Sequence, residues 1–272
     1  MLIRTLPLPT PLTIPTEPLT PSSFAPFGAV LTNPAPDPGP PQPHHLHPSY
    51  LKARRRVRQP GHPIQYRGLA PPLRDLYAQA PSGKRATPRT TMFVCGAREL
   101  EPESGRENGN GNASAGGSNS AGLFTVQVLE RHPFTTQTFI PLSSSSSHSS
   151  SSSVQYLVIV APTLPPTSAD NDFPVPEDRA QATLPGRGMP DLSRIRAFLA
   201  TGSQAVTYGA GTWHAPMVAL GPPGSAVDFV VVQFANDEPV EDCQEVALEG
   251  GGEGGARIRV RVLGRKGEVS KL

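Results

Sequence analysis

Apolar residues in this chain gather in short runs rich in β-branched and aromatic side chains. The clearest are TTMFVCGA (90–97), LFTVQVLERH (123–132), TQTFIPL (136–142), VQYLVIVAP (154–162) and AVDFVVVQFA (226–235). Their lengths and turn-residue borders predict strands rather than helices. Helix signals are sparse. In TPSSFAPFG, Thr20 fits an N-cap, Pro21 a first helical position and Gly28 a stop, so one short turn is expected. In PDLSRIRAFLATG, Asp191 caps a turn, after which Ile195, Ala197 and Leu199 alternate as in a strand. Many short strands with few helices predict a mainly all-β fold, a β-barrel or two-sheet jelly roll, whose inward side chains can line a pocket.

Composition changes this picture by setting how much of the chain builds that barrel. Apolar residues make up only 36% of the 272 positions, while 34 prolines and 26 glycines are in excess. They collect with serine in low-complexity stretches, so a single domain over 1–272 is expected, with flexible insertions at 33–65, 103–121, 143–153 and 249–256. The serine run 143–153 would form the expanded tip of a hairpin, or a similar connection, between TQTFIPL and VQYLVIVAP. His44, His45, His47 and His148 fall in such stretches, which cannot hold metal ligands in fixed geometry, and read as solvated.

A net charge of +2 steers the chain to neither nucleic acid nor an anionic membrane, and the basic run Lys52 to Arg58 reads as a solvated loop. No apolar stretch is long enough to cross a membrane. Cys95 and Cys243 show no metal-type spacing and suit a reducing compartment. The tail 264–272 closes on Ser270, Lys271 and Leu272, the tripeptide read by the peroxisomal import receptor, so a peroxisomal location, otherwise cytoplasmic, is expected.

Candidate chemistry begins in LERHPFTTQTFIPL, residues 129 to 142. In an extended chain Glu130 and His132 share one face, while Leu129 and Arg131 take the other. A half-exposed strand whose polar face meets water gives the same triplet, so the pair alone decides little. A second segment, QAVTYGAGTWHAPM (204–217), sets the only tryptophan, Trp213, beside His214 after a glycine turn. The order resembles cupins, in which a His-x-His pair, a Glu and a later His converge on a metal. Here Glu130 and His132 stand near the first pair, Gln137 near the Glu, and His214 at the end. Two imidazoles and one carboxylate are an incomplete ligand set, which leaves acid/base chemistry open as the alternative.

PLTPSSFAPFGAVL (18–31), LERHPFTTQTFIPL, QYLVIVA (155–161), DLSRIRAFLATGSQAVTYGAGTWHAPM (191–217) and VDFVVVQFANDEPVEDCQEV (227–246) together resemble the ureidoglycolate lyase family, in the family's order. The chain departs in its long insertions and in Arg67 of QYRGLA, where a His is common. The resemblance implies a cupin-type barrel, often a homodimer, that splits ureidoglycolate into glyoxylate and urea during allantoin and purine breakdown. Breaking that carbon–nitrogen bond needs a base for the hydroxyl proton and an acid for the departing nitrogen. Under this reading His132 is the base, with Glu130 holding its tautomer or serving as base itself, and His214 is the acid. Gln137 would bind the ureido group, Trp213 would wall off water, Tyr208 would contact substrate, and Arg98 would take the carboxylate. No cofactor is obligatory; a divalent metal such as nickel on Glu130, His132 and His214 would be stimulatory. The competing readings are a metal-dependent cupin oxygenase or isomerase, a non-catalytic barrel that binds a small acid, and a hydrolase that releases ammonia.

Overall fold

The computed structural model describes residues 1–34, 54–56, 65–103, 121–142, 154–177, 184–250 and 255–263. The expected insertions at 33–65, 103–121 and 143–153 lie wholly or mostly outside these residues, and that at 249–256 by half. Also outside are His44, His45, His47, His148, all of the run Lys52 to Arg58 but the backbone of 54–56, and the terminal Ser270, Lys271 and Leu272. The first half of the chain forms β1 (Leu2–Leu8), β2 (Leu12–Pro18), helix α1 (Pro21–Phe24), β3 (Gly28–Thr32), β4 (Arg54–Arg56), β5 (Gln65–Arg67), β6 (Thr87–Gly96), β7 (Gly122–Val126) and β8 (Val128–Arg131). The second half forms β9 (Gln137–Leu142), β10 (Gln155–Ala161), β11 (Arg196–Thr201), β12 (Gln204–Tyr208), β13 (Trp213–His214), β14 (Val218–Leu220), β15 (Ala226–Ala235), helix α2 (Pro239–Asp242), β16 (Gln244–Gly250) and β17 (Ile258–Val262). The mainly-β expectation holds, and the two α-helices of the described residues are single turns.

Ten strands make a curled sheet in the order β1-β16-β8-β13-β10-β11-β2-β17-β7, with β14 also on β10. It faces a five-stranded sheet ordered β3-β12-β9-β15-β6, and β4 and β5 pair separately. β10 is buried on both faces, which explains its unbroken apolar run. Tyr156, Val158 and Val160 point at the smaller sheet and pack with Phe24, Phe139, Phe198, Val206 and Phe229. Leu157, Ile159 and Ala161 point into the hollow of the curled sheet, with Leu129, Trp213, Val246 and Val260. Edge-to-face ring pairs such as Tyr156 with Phe229, at 5.1 Å between centroids, lock the inter-sheet layer.

The short elements follow local chemistry. The Thr20 side chain accepts a hydrogen bond from the Ser23 amide and caps α1, as anticipated. Asp191 caps a 3-10 turn at Leu192–Arg194 before β11, also as anticipated. Of the two forms expected for the link across the serine run, a hairpin or a similar strand connection, it is the second, since β9 lies in the smaller sheet and β10 in the larger. The strands flanking it resemble hairpin arms in sequence because each is apolar on the face turned to the other sheet.

Gly28 does not end a helix but starts β3, opposite Tyr208 of β12. A methyl group there would sit 1.9 Å from the Thr207 carbonyl oxygen, at a φ of +155°. Gly28→Ala must therefore force β3 away from β12. It is expected to cost about 2 kcal/mol or more in urea denaturation and to disturb Tyr208, whose ring meets the site described next.

Candidate active site

The direct pairing of His214 with Glu130 across β13 and β8 creates the site. Side chains opposite one another in an antiparallel pair share a face. Glu130 Oε1 thus lies 3.5 Å from His214 Nε2, and the His132 and His214 rings are 5.6 Å apart between centroids. Both imidazoles are buried, at 7% and 1% exposure, so Glu130 and His132 face inward rather than toward water.

Backbone carbonyls fix how each ring is turned. His132 Nδ1–H donates to the Asp242 carbonyl at 2.6 Å, and His214 Nδ1–H donates to the Thr212 carbonyl at 2.9 Å. In both rings Nε2 is then the nitrogen left over by the main chain, and that of His132 is buried with no partner. The carbonyls are themselves anchored. Asp242 accepts from the Asn236 and Asp237 amides and from the Tyr77 hydroxyl, and Thr212 Oγ1–H donates to the Phe27 carbonyl. Gly211 N–H donates to the His132 carbonyl at 2.8 Å, joining the glycine turn to the first segment. Gly211 has φ 78°, a left-handed conformation that suits glycine.

The smaller sheet supplies the opposite wall. Tyr208 stacks on His214 with centroids 3.9 Å apart and planes at 13°. Gln137, opposite Tyr208 in β9, places Oε1 3.2 Å from His214 Nε2 and donates from Nε2 to Gln233 Oε1 at 2.7 Å. His214 Nε2 thus lies between the Gln137 amide oxygen and the Glu130 carboxylate. The sequence reading missed Gln233, Asp242 and Thr212. Gln233 was detectable: it follows Val227, Phe229 and Val231 on the inward face of β15, a polar residue in an apolar register. Backbone acceptors such as the Asp242 and Thr212 carbonyls leave no side-chain signature.

Two anticipated residues lie elsewhere. Trp213 follows the strand alternation to the other face of β13, where it is fully buried in the hollow of the curled sheet and its indole N–H donates to the Gly188 carbonyl. There the Arg131 guanidinium lies 4.4 Å from its ring and donates to Gln244 and to the carbonyls of Gly186, Arg187 and Gly188. Burial pulls Arg131 down to about 9, and its place away from the Glu130 face is the structural one expected. Arg98 is exposed and lines a separate cleft of about 510 Å³ with Glu99, Glu101, Thr125 and Pro216. The structure therefore unites Glu130, His132, His214, Gln137 and Tyr208, and leaves Trp213 and Arg98 outside.

Electrostatics divides the labour within the cluster. Burial lowers the His132 pKa, and the neighbouring His214 lowers it further against the pull of Glu130, so His132 stays neutral at physiological pH. Burial pushes Glu130 up, but the hydrogen bond and charge of His214, helped by His132, outweigh it and keep the carboxyl ionised. Burial, with Tyr156 and Glu130, raises Tyr208 well above its ordinary value, so its phenol stays protonated. Glu130, His132 and His214 also offer ligand atoms within 4.8 Å of one another. Two imidazoles fixed through Nδ1 and one carboxylate are donors a divalent transition metal accepts, and His132 Nε2 has no other partner.

The ureidoglycolate lyase family profile matches residues 11–253. Among similar proteins, the ureidoglycolate lyase of Schizosaccharomyces pombe is 40% identical over 126 residues, covering 46% of this chain and 51% of that protein. That of Saccharomyces cerevisiae is 39% identical over 132 residues, covering 47% and 53%. That of Burkholderia mallei is 34% identical over 114 residues, covering 42% and 46%. The chain thus spans about half the length of the relatives it matches.

A pH prediction follows from His132. Its folded pKa lies below the ordinary value of 6.5, so the folded chain binds fewer protons than the unfolded chain. Its contribution to stability is present above pH 6.5 and is lost as pH falls through the folded value; the lowered Glu130 acts in the same sense at lower pH. Urea denaturation of chelator-treated protein should give a lower unfolding free energy at about pH 5.5 than at about pH 7.5. The loss should be smaller in His132→Gln.

Proposed function

Because this chain belongs to the ureidoglycolate lyase family, we propose that it cleaves ureidoglycolate to glyoxylate and urea by acid/base elimination in a cupin-type pocket. The observation that carries this reading is the buried, partnerless Nε2 of a neutral His132 beside the Glu130–His214 pair.

The substrate carries a hydroxyl and a ureido nitrogen on one carbon. His132 Nε2 takes the hydroxyl proton as the C–O bond becomes C=O and the C–N bond breaks. His214, protonated at Nε2, gives its proton to the departing nitrogen. No water is consumed, and the net change is one proton moved from oxygen to nitrogen. Glu130, facing both rings, returns that proton from His132 to His214 for the next cycle. Each positioned group contributes roughly 10²-fold to 10⁴-fold. Gln137, held by Gln233, hydrogen-bonds the ureido group, and Tyr208 keeps the His214 ring flat against its stack.

We also propose a stimulatory divalent cation, such as nickel, on Glu130, His132 and His214. Bound there, it would occupy the Nε2 positions otherwise used for proton transfer, polarise the oxygen that becomes the aldehyde and lessen the need for a protein base. The chain is proposed to act as a homodimer.

One incubation with ureidoglycolate, assayed for glyoxylate, urea and ammonia, tests the reaction. Equal glyoxylate and urea without ammonia is the expected result. Ammonia would identify a hydrolase, and binding without turnover a non-catalytic barrel. Activity abolished by chelation, with a tightly held metal, would favour a cupin oxygenase or isomerase. His132→Asn should lower kcat at least about 100-fold while leaving the far-UV circular dichroism unchanged; a fully active variant contradicts its role as base.

A further inference from the structure

The proposed substrate carries a carboxylate, and neither Glu130, His132 nor His214 is a permanent cation that could hold it. Arg98 lines another cleft, and Arg131 is engaged on the far face of β8. Arg196 of β11 is taken by Glu17 through two bonds, of 3.0 and 2.6 Å, and by the Ser23 carbonyl. The Met1 amino group pairs with Glu245 at 3.6 Å and donates to the Cys243 carbonyl. Strand register leads instead to Arg89. On the smaller sheet Tyr208 stands opposite Gln137 of β9, Gln137 donates to Gln233 of β15, and Gln233 stands opposite Arg89 of β6. Opposite residues of an antiparallel pair share a face, with Cβ atoms about 5 Å apart. Arg89 therefore ends the row that begins where Tyr208 stacks on His214. That face is the inner one. At alternate positions further along β6, Phe93 packs its ring on Phe139, and Cys95 packs on the core between the sheets.

A second path reaches Arg89 from the imidazole side. Its Nη2 donates to the Asp237 carboxylate at 2.6 Å, the Asp237 amide donates to the Asp242 carboxylate at 2.8 Å, and the Asp242 carbonyl accepts from His132. Asp237 has a φ of 61°, the only left-handed conformation of a non-glycine residue among the described residues. The sheet row and this loop thus end on one guanidinium at the rim, where Arg89 is 46% exposed and Asp237 77%. An ion pair so exposed contributes little, so exchanging Asp237 for another carboxylate costs little. The remaining donors of the Arg89 fork have no partner among the described residues, and two of them suit parallel bonds to a carboxylate. We propose that Arg89 receives the carboxylate of ureidoglycolate, releasing Asp237 as the acid enters and setting the hydroxyl and ureido nitrogen of the same molecule toward the imidazoles. This inference rests on the ureidoglycolate reading and adds the residue that selects an acid.

Steady-state kinetics of the full chain and of Arg89→Gln, Arg89→Lys and Asp237→Gly test it. Arg89→Gln should raise the KM for ureidoglycolate at least about 10-fold, the effect of losing charge-assisted hydrogen bonds, and keep kcat within about 3-fold. Arg89→Lys, which retains the charge without the fork, should recover part of that loss. Asp237→Gly suits the left-handed backbone and frees the guanidinium, so it should not raise KM. An unchanged KM in Arg89→Gln overturns the proposal and leaves the reaction standing. A loss in kcat alone, or an Asp237→Gly that raises KM as Arg89→Gln does, shows that the ion pair only tethers the loop behind His132, which also overturns it. An unaltered protein without turnover refutes the proposed reaction. In that case, or if Arg89→Gln fails to fold, phenylglyoxal modification of the unaltered protein, mapped by mass spectrometry, decides. Glyoxylate that slows modification of Arg89 supports the carboxylate site; an equal rate with and without glyoxylate overturns it.

Discussion

The site depends on one pairing, His214 of β13 opposite Glu130 of β8, in a sheet buried on both sides at that point. Strand alternation does the rest. Once those two residues face the smaller sheet, His132, just past the end of β8, joins them, and Arg131 and Trp213 must turn to the other face. The same alternation thus turns Glu130, His132 and His214 to one face and Arg131 and Trp213 to the other. Shifting the register by one residue would bury Arg131 and Trp213 in the pocket and send the imidazoles into the apolar hollow.

Burying two imidazoles and a carboxylate is costly unless their polar atoms are satisfied. Here the Nδ1 atoms of both rings are taken by main-chain carbonyls, and Glu130 is balanced by His214. Within the cluster, Nε2 of His132 and the Tyr208 hydroxyl are the buried polar atoms left without a partner. That division makes the asymmetry of the pair intelligible. His132 has its pKa driven down by burial and is suited to accept a proton, whereas His214 sits against a carboxylate and an amide oxygen and is suited to give one.

Much of the fold was legible because the strands carry β-branched and aromatic runs with distinct borders. Glu130, His132 and His214 were legible because ionisable residues inside such runs are conspicuous. Placement across the sheet was harder to read. Trp213 looked like a pocket wall because it adjoins His214 in sequence, yet neighbours in a strand point apart, and cation–π contact with Arg131 claims it for the far face. Arg98 was chosen for its charge, and only the topology shows that the end of β6 opens onto a different cleft. The serine run suggested a hairpin or similar connection because it lies between two apolar runs, but sheet membership is decided by partners distant in sequence. Asp242 and Thr212 act through backbone carbonyls, which every residue possesses, so no side-chain pattern could have marked them.

The most direct test of this arrangement is ¹⁵N NMR of the histidine rings at neutral pH, with and without glyoxylate. Nδ1 should be protonated in both His132 and His214, with the His132 Nε2 signal that of a bare nitrogen and responsive to added glyoxylate. A His132 protonated on Nε2 alone, or Nε2 signals indifferent to the ligand, would contradict a site built on two rings turned by the main chain toward one small acid.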